Sequence, residues 1–272
     1  MNDLQLMHEV VKLALKAGEA ILPFWRADVA VTSKADDSPV TAADLAAHRV
    51  LADGLLALAP QIPLLSEEDC NIPLAERQRW QRWWLVDPLD GTKEFIAGSE
   101  EFTVNIALVE NGEVVFGVVS MPTNGRCYFG GRGLGAWRAQ AGEAAEPIQV
   151  RNAPPLGERF TVVASRRHSS PEQEALLAGL GAALGELELA NIGSSLKFCL
   201  LAEGSADCYP RLAPTSQWDT AAAQGVVEGA GGEVIGLDGL PFRYPPRKSL
   251  LNPHFLALPA NAQWRQAFLS LI

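Results

Sequence analysis

The chain contains 272 residues, 48% of them hydrophobic and 20% charged, a composition typical of a globular protein with one domain or two. Its 32 acidic and 22 basic residues give a net charge of −10, which argues against a nucleic-acid-binding surface. The first residues lack the basic segment and apolar block of a signal peptide, and no apolar run approaches membrane-spanning length.

None of the four cysteines belongs to a Cys-x-x-Cys pair; they are Cys70, Cys127, Cys199 and Cys208. Free thiols in a reducing compartment are the simplest interpretation of this spacing. We therefore expect a cytoplasmic protein without a transmembrane segment. Association with the cytoplasmic face of the inner membrane stays open.

Two helices are predicted in the N-terminal part of the chain. Apolar residues recur at helical spacing over 3–24, and a short strand at 29–32 and a polar loop at 34–44 follow. Thr41 and Asp44 fit a capping box at the start of the second helix, and capping alone would explain this aspartate. The predicted apolar face of that helix contains Leu45, Leu51, Leu55 and Leu58.

Two apolar runs end in acidic residues. Residues 62–66 lead into the acidic cluster 67–69, and the buried strand predicted at 83–86 leads into Asp87 and Asp90. Burying these carboxylates without a partner would be costly, so a cation is expected beside them. Hard oxygen ligands of this kind suit Mg²⁺, which leaves coordination positions open for a substrate phosphate.

Two other acidic motifs do not fit. An EF-hand loop that begins at Asp87 would need a ligand at its third position and Glu at its twelfth, where Leu89 and Gly98 stand. An aspartyl-phosphate enzyme would typically carry Asp-x-Asp, whereas Asp87 and Asp90 are three residues apart. An ordinary acidic turn at Asp90 and Gly91 remains the alternative to a metal site.

A change in composition over 139–158, rich in Ala, Gly, Glu and Pro, predicts a boundary near residue 150. The predicted domains are therefore 1–150 and 151–272. Strands are predicted at 102–109 and 114–121, joined in a hairpin by an Asn-Gly turn within 110–113. Further strands are predicted at 161–165, 187–192, 206–210, 232–235 and 255–258, with another hairpin over 126–138. Helices are predicted at 171–184, from 193 to 204, after residue 220 and at the C-terminus.

Four polar residues of the second half have both a structural and a functional interpretation. Ser194 lies at a helix start, where it either caps the helix or presents a hydroxyl group to a phosphate. Lys197 fits a surface lysine equally well. Arg211 lies between two prolines, and Asp219 fits the capping position before an Ala-rich helix.

Three motifs together resemble the inositol monophosphatase superfamily of Mg²⁺-dependent, Li⁺-sensitive phosphatases. They are Glu67-Glu68, the sequence Asp-Pro-Leu-Asp-Gly-Thr at 87–92, and Trp-Asp-Thr-Ala-Ala at 218–222. Within this superfamily the chain looks most like the bacterial 3′(2′),5′-bisphosphate nucleotidases. The segments that carry this closer resemblance are 34–44, 165–168, 193–198 and 209–215.

The resemblance implies an α/β fold (α+β), a layered αβαβα sandwich of the sugar phosphatase type, with the site between its two parts. It also implies two Mg²⁺ ions, and a third, looser ion near Glu67. Glu67, Asp87 and the carbonyl group of Leu89 would hold the first ion. Asp87, Asp90 and Asp219 would hold the second.

The catalytic residues implied by the resemblance are Asp44, Glu67 and Thr92, with Thr92 hydrogen-bonded to Asp44 and orienting the attacking water. No side chain becomes phosphorylated in this scheme. The implied substrate is a small nucleotide bisphosphate, adenosine 3′,5′-bisphosphate or its sulfated analogue. Its predicted contacts are Glu67, Leu89, Asp90, Gly91, Thr92, His168, Ser194, Lys197, Arg211 and Asp219.

Two other functions remain as alternatives. Hydrolysis of inositol monophosphate or other sugar phosphates would differ only in the second half of the chain. A non-catalytic metal or anion sensor on the same fold would be expected to lack an acid or the pair of Thr92 and Asp44, and the sequence keeps them. Both a monomer and a homodimer are compatible with the sequence.

Overall fold

The computed structural model describes residues 1–27, 31–33, 39–154, 159–164 and 171–271. The helices are α1 Asp3–Ile21, α2 Ala42–Leu58, α3 Leu74–Arg77, α4 Thr92–Ile96, α5 Pro171–Leu184, α6 Leu196–Ala202, α7 Ala221–Gly229 and α8 Arg265–Leu269. The first nine strands are β1 Val31–Ser33, β2 Pro39–Thr41, β3 Leu64–Ser66, β4 Arg82–Asp90, β5 Thr103–Glu110, β6 Glu113–Met121, β7 Arg126–Gly131, β8 Gly135–Ala139 and β9 Glu146–Pro147. The last five are β10 Phe160–Ala164, β11 Leu187–Asn191, β12 Tyr209–Arg211, β13 Gly232–Gly236 and β14 Phe255–Pro259.

A seven-stranded sheet with the order β3-β4-β5-β6-β7-β8-β9 organises the first half of the chain. Strands β3 and β4 are parallel, and the other neighbours are antiparallel. Asn111 and Gly112 both have positive φ at the predicted turn between β5 and β6, as a tight hairpin turn requires. The parallel pair brings the carboxyl ends of β3 and β4, and hence their acidic residues, to the same edge.

The sheet is buried on both faces, which explains the continuous apolar run in β4. Trp84 and Val86 belong to the core shared with α1 and α2, whereas Trp83 and Leu85 belong to the core shared with α6 and α7. Side chains that alternate in this way need apolar residues at every position. A third core joins β10, β13 and β14 to α5 and α8. The αβαβα layering predicted from the sequence is therefore confirmed.

Helix α7 lies unusually close to the sheet because its contact surface is made of Ala and Gly. A Cβ atom on Gly117 of β6 would come within 1.8 Å of the carbonyl oxygen of Ala222. A Cβ atom on Gly225 would come within 2.4 Å of the amide nitrogen of Gly117. This close packing fixes the start of α7, and therefore Asp219 just before it, relative to the end of β4.

Several predicted boundaries were wrong for local reasons. Strand β4 continues past residue 86 to Asp90, because an irregular register between Asp87 and Asp90 preserves its pairing with β5. Helix α6 begins at Leu196 rather than at 193, since Ser194 has a φ of 47°, which is incompatible with a right-handed helix. Arg211 lies inside the edge strand β12 rather than after it.

The predicted apolar face of α2 was wrong at one position. Leu45 is 42% exposed, whereas Leu51 and Leu55 are buried together with Ala43 and Ala47. The buried residues repeat every four positions, and Leu45 falls outside that stripe. The four cysteines, all within the described residues, form no disulfide bond, as predicted. Among the helices described, none combines the length and apolar character needed to cross a bilayer.

Candidate active site

Asp87 and Asp90 lie on the same face of the sheet because of the irregular register in β4. Asp87 pairs with Asn105 and Asp90 pairs with Thr103, so three steps along β4 oppose two steps along β5. Residues two apart on a strand share a face, and the bulge therefore brings both carboxylates to one side. Although the two aspartates are three residues apart rather than two, the bulge places their carboxylates on one face, as an Asp-x-Asp spacing would in a regular strand.

Asp90 is held by donors from two other segments. Its Oδ2 accepts hydrogen bonds from the amide nitrogen and the hydroxyl group of Ser195, at 2.6 and 2.8 Å. The side-chain amide of Asn105 donates to the same oxygen at 3.2 Å. Among the described residues no donor contacts the other oxygen, Oδ1. One side of this carboxylate is therefore fixed by the protein, and the other remains available to a ligand.

Asp87 is buried among other acids. Burial raises its pKa well above the usual range, and the neighbouring carboxylates of Glu67 and Asp90 raise it further. The amide nitrogen of Leu89 donates to its Oδ1 at 3.0 Å. One amide donor does not offset the repulsion, and no cationic side chain in the described ranges forms an ion pair with this group.

Asp219 fits both interpretations proposed from the sequence. It completes a capping box with Ser216, whose amide nitrogen donates to Oδ2 at 2.8 Å. Burial nevertheless raises its pKa to about 8, and the charge of Asp90 contributes to this increase. The cap therefore orients Asp219 without neutralising it.

Asp44 also caps a helix, and its second oxygen faces Thr92. The amide nitrogen and hydroxyl group of Thr41 donate to Oδ2 at 2.8 and 2.7 Å. The Thr92 hydroxyl group lies 3.4 Å from Oδ1 of Asp44 and 3.3 Å from the carbonyl oxygen of Leu89. Burial raises the pKa of Asp44. Capping and the predicted pairing with Thr92 are thus compatible in a single side chain.

Two basic side chains near these acids, those of Lys197 and Arg211, donate hydrogen bonds to backbone carbonyl groups. Lys197 Nζ donates to the carbonyl oxygens of Ser194 and Ile192 at 2.7 and 3.3 Å, and burial lowers its pKa to about 8. Arg211 Nε and Nη2 each lie 3.2 Å from a carbonyl oxygen, of Ala213 and Pro214 respectively. In the described part of the chain, no ion pair joins either cation to an acidic side chain.

A cavity of about 480 Å³, which we call the cleft, lies between these charged groups. It is lined by six of the predicted substrate contacts, namely Asp90, Gly91, Ser194, Lys197, Arg211 and Asp219. Three others, Glu67, Leu89 and Thr92, are not part of its lining, and His168 lies outside the described residues. The lining also includes Lys93, Glu101 and Tyr209, which were not predicted from the sequence.

The most notable residues that the sequence prediction missed are Asn105 and Ser195. Asn105 is fully buried, and its Nδ2 also donates to the Ser195 hydroxyl group at 2.9 Å. An amide in the middle of an otherwise apolar strand was the available signal. Next to Asp219, the Thr220 hydroxyl group contacts both Tyr244 and Asn252 at 2.9 Å, in a buried polar network.

The acidic residues fit a hard divalent cation by their chemistry. Glu67, Asp87, Asp90 and Asp219 supply oxygen donors, and burial and neighbouring carboxylates raise the pKa values of Asp87 and Asp219, an effect that a bound cation would offset. Within the described ranges, no three acidic, histidine or cysteine side chains are already arranged to hold a metal ion. Binding would therefore require some of these carboxylates to turn toward a common point.

Comparison with known proteins gives one consistent family. Residues 3–267 match the model of the inositol monophosphatase family. The chain is 51% identical over 254 residues to the 3′(2′),5′-bisphosphate nucleotidase CysQ of Shigella flexneri, covering 92% of this chain and 98% of that protein.

Solved structures agree with this result. The crystal structure of CysQ from Bacteroides thetaiotaomicron, a bacterial member of the inositol monophosphatase family, has a TM-score of 0.81 and 39% identity over 96% of this chain and 99% of that one. An inositol monophosphatase from Zymomonas mobilis has a TM-score of 0.75 and 27% identity, covering 99% and 96% of the two chains.

Proposed function

Because the chain belongs to the inositol monophosphatase family, we propose that it is a phosphatase that hydrolyses adenosine 3′,5′-bisphosphate to AMP and phosphate. The observation that carries the proposal is the cleft, whose lining contains the acids Asp90 and Asp219 and the buried cations Lys197 and Arg211, with no ion pair between the two sets among the described residues. Relatives about half identical over nearly the whole chain are bisphosphate nucleotidases by name. The substrate contains two phosphate groups, which matches two separate sites of opposite charge in the cleft.

Members of this family are metal-dependent, typically on Mg²⁺. Glu67, Asp87 and the Leu89 carbonyl group would hold one ion, and Asp90 and Asp219 would share a second with Asp87. A third ion near Glu67 belongs to the same proposal. Bound Mg²⁺ would supply positive charge to the scissile phosphate and lower the pKa of a nearby water.

Thr92 and Asp44 would direct the attacking water. The Thr92 hydroxyl group would accept a hydrogen bond from this water while it donates to Oδ1 of Asp44. Asp44 would then take up the proton, which its raised pKa favours. Since Oδ2 is held by Thr41, the carboxylate keeps its orientation during the transfer. Direct attack by water would leave no phosphorylated side chain.

Lys197 and Arg211 would hold the phosphate that is not cleaved. Both line the cleft, and both side chains are more than nine-tenths buried, so a phosphate group there would be shielded from solvent. Gly91 and Ser194 contribute to the same wall. His168, near the nucleoside in this proposal, stays a prediction from the sequence.

The proposed reaction has a place in sulfur metabolism. Hydrolysis of the bisphosphate, and of its sulfated analogue, would remove a by-product of sulfate assimilation. We place the protein in the cytoplasm as a monomer or homodimer, with association at the inner membrane surface still to be tested.

The proposed function is tested by phosphate release from a panel of phosphomonoesters with and without Mg²⁺. We expect the highest kcat/KM for adenosine 3′,5′-bisphosphate and no turnover after chelation. Preference for inositol monophosphate would instead support the alternative phosphatase. Metal binding without turnover of any substrate would support a sensor.

A further inference from the structure

Ser195 connects three separate segments of the site through one hydroxyl group. Its Oγ lies 2.8 Å from Asp90 Oδ2 and 2.8 Å from the main-chain carbonyl oxygen of Asp219. The same oxygen accepts a hydrogen bond from Asn105 Nδ2 at 2.9 Å. The side chain is 2% exposed, so water does not compete for these contacts. A single serine thus links the end of β4, the middle of β5 and the turn before α7.

Asn105 occupies its position at an energetic disadvantage. It is fully buried in β5, and its Oδ1 has no hydrogen-bond partner among the described residues. A buried polar atom without a partner destabilises the fold. The orientation of its amide follows from the neighbouring carboxylate, which accepts but does not donate. Asn105 donates hydrogen bonds to Asp90 and Ser195, and holding these two side chains in place is a function that explains why a destabilising buried amide is present.

These contacts act on one oxygen of Asp90. Three hydrogen bonds reach Oδ2, and none of the described residues donates to Oδ1. A carboxylate held by one oxygen cannot rotate freely, so the other oxygen keeps a fixed direction. Because Asp90 lines the cleft, a cation there would meet a ligand already oriented.

We propose that Ser195, supported by Asn105, is a positioning residue that fixes the Asp90 carboxylate for cation binding. The inference rests on the proposed function only in taking Asp90 as a ligand of a divalent cation. It assigns no chemical step to Ser195. Losing an outer partner of a metal ligand typically weakens metal binding about 10- to 100-fold.

The test is the affinity of the full-length, chelator-treated protein for Mn²⁺, measured by electron paramagnetic resonance. We expect Ser195→Ala to weaken Mn²⁺ binding by about 10- to 100-fold. Asn105→Ala should weaken it in the same direction. The double variant should lose less than the sum of the two single variants, because both residues hold the same oxygen of Asp90 and contact each other. Ser195→Thr keeps a hydroxyl group and should recover much of the affinity.

Ser120→Ala is the matched control. Ser120 is a fully buried serine of β6 whose Oγ has no partner within the described part of the chain, so this variant should bind Mn²⁺ like the parent. In turnover assays, Ser195→Ala should raise the Mg²⁺ concentration needed for half-maximal rate more than it lowers kcat. A general structural role would lower the melting temperature without this separation.

Unchanged Mn²⁺ affinity in folded Ser195→Ala would overturn the inference, as would an equal loss in Ser120→Ala. If Ser195→Ala does not fold, the Mn²⁺ affinity of Asn105→Ala decides the question in its place, and an unchanged affinity would overturn the inference. A parent protein that binds Mn²⁺ but does not hydrolyse the bisphosphate would refute the proposed function alone. The effect of Ser195 on Mn²⁺ binding would still be measured in that case.

Discussion

The two walls of the cleft differ from the rest of the molecule in how their charges are balanced. The acidic wall is formed by Asp90 and Asp219, and burial together with the charge of Asp90 raises the pKa of Asp219. The basic wall, formed by Lys197 and Arg211, is held by backbone carbonyl groups. In the described residues, no ion pair joins the two walls.

A buried ion pair elsewhere in the chain provides the contrast. Arg151 donates to both oxygens of Asp207 at 2.8 and 2.7 Å, and the Asp207 side chain is almost fully buried. The same fold therefore pairs opposite charges directly where their role is structural. In the cleft the acidic and the basic side chains form no ion pair with each other among the described residues. Cations bound at the acidic wall and a phosphate group bound at the basic wall would supply the opposite charge that each wall needs.

The largest effect is expected from Asp90→Asn. The change removes one charge from the acidic wall, and we expect kcat/KM to fall by more than about 100-fold, since a metal ligand matters more than its outer partners. The fold should survive, because less repulsion remains in the metal-free protein. Asp238→Asn, the same change at an exposed turn, is the control. Activity near that of the parent would remove Asp90 from the site.

The next effect concerns the pair of Thr92 and Asp44. We expect Thr92→Ala and Asp44→Asn each to lower kcat by about 100-fold or more, as the loss of a general base does. The double variant should be little worse, because the two act as a unit. Asn2→Ala, which removes a similar capping box at α1, is the control and should reduce only stability, by about 0.5–2 kcal/mol. Additive losses would contradict a shared role.

The basic wall is tested by Arg211→Ala with two substrates. A charged hydrogen bond of this kind contributes roughly 1.5–3 kcal/mol, so kcat/KM for the bisphosphate should fall about 10- to 150-fold. Adenosine 3′-monophosphate, which lacks the second phosphate group, should be nearly unaffected. Arg243→Ala removes an exposed arginine and controls for net charge. Equal losses on both substrates would assign Arg211 to structure or to the scissile phosphate.

The smallest effect is the pH dependence of stability without metal. Burial raises the pKa of Asp219 from 3.8 to about 8, so the fold favours the protonated form. That stabilisation is complete below pH 4 and is lost as the pH rises through 8, on the order of 1–3 kcal/mol between pH 5 and 8. We expect the melting temperature to fall over this range and Asp219→Asn to reduce the slope. An unchanged slope in Asp219→Asn would contradict the assignment.

Much of the fold followed from the sequence because its signals are local. Periodicity gave α1 and α5, and the Asn-Gly turn gave the hairpin of β5 and β6. The αβαβα arrangement came from the resemblance rather than from periodicity. The division near residue 150 stays a prediction. Leu45 was misplaced because hydrophobicity alone does not define which stripe of a helix is buried.

The site was predicted less completely because its details are non-local. The bulge that aligns Asp87 with Asp90 depends on pairing with β5, which the sequence of β4 alone does not specify. Asn105 and Ser195 are 90 residues apart, and only the fold brings them together. The positive φ of Ser194 likewise delays the start of α6, a helix that the sequence predicted to begin at residue 193.

The most direct test of the contrast between the walls is calorimetric titration of Mg²⁺ into chelator-treated protein, in buffers of different ionisation enthalpy. If the acids lack positive partners until a cation binds, Asp219 is largely protonated at pH 6.5, and binding must release protons. We predict clear proton release at pH 6.5 and much less at pH 9, where the carboxylate is already ionised. Tight Mg²⁺ binding with no proton release at either pH would contradict this description of the acidic wall, and so would the absence of binding.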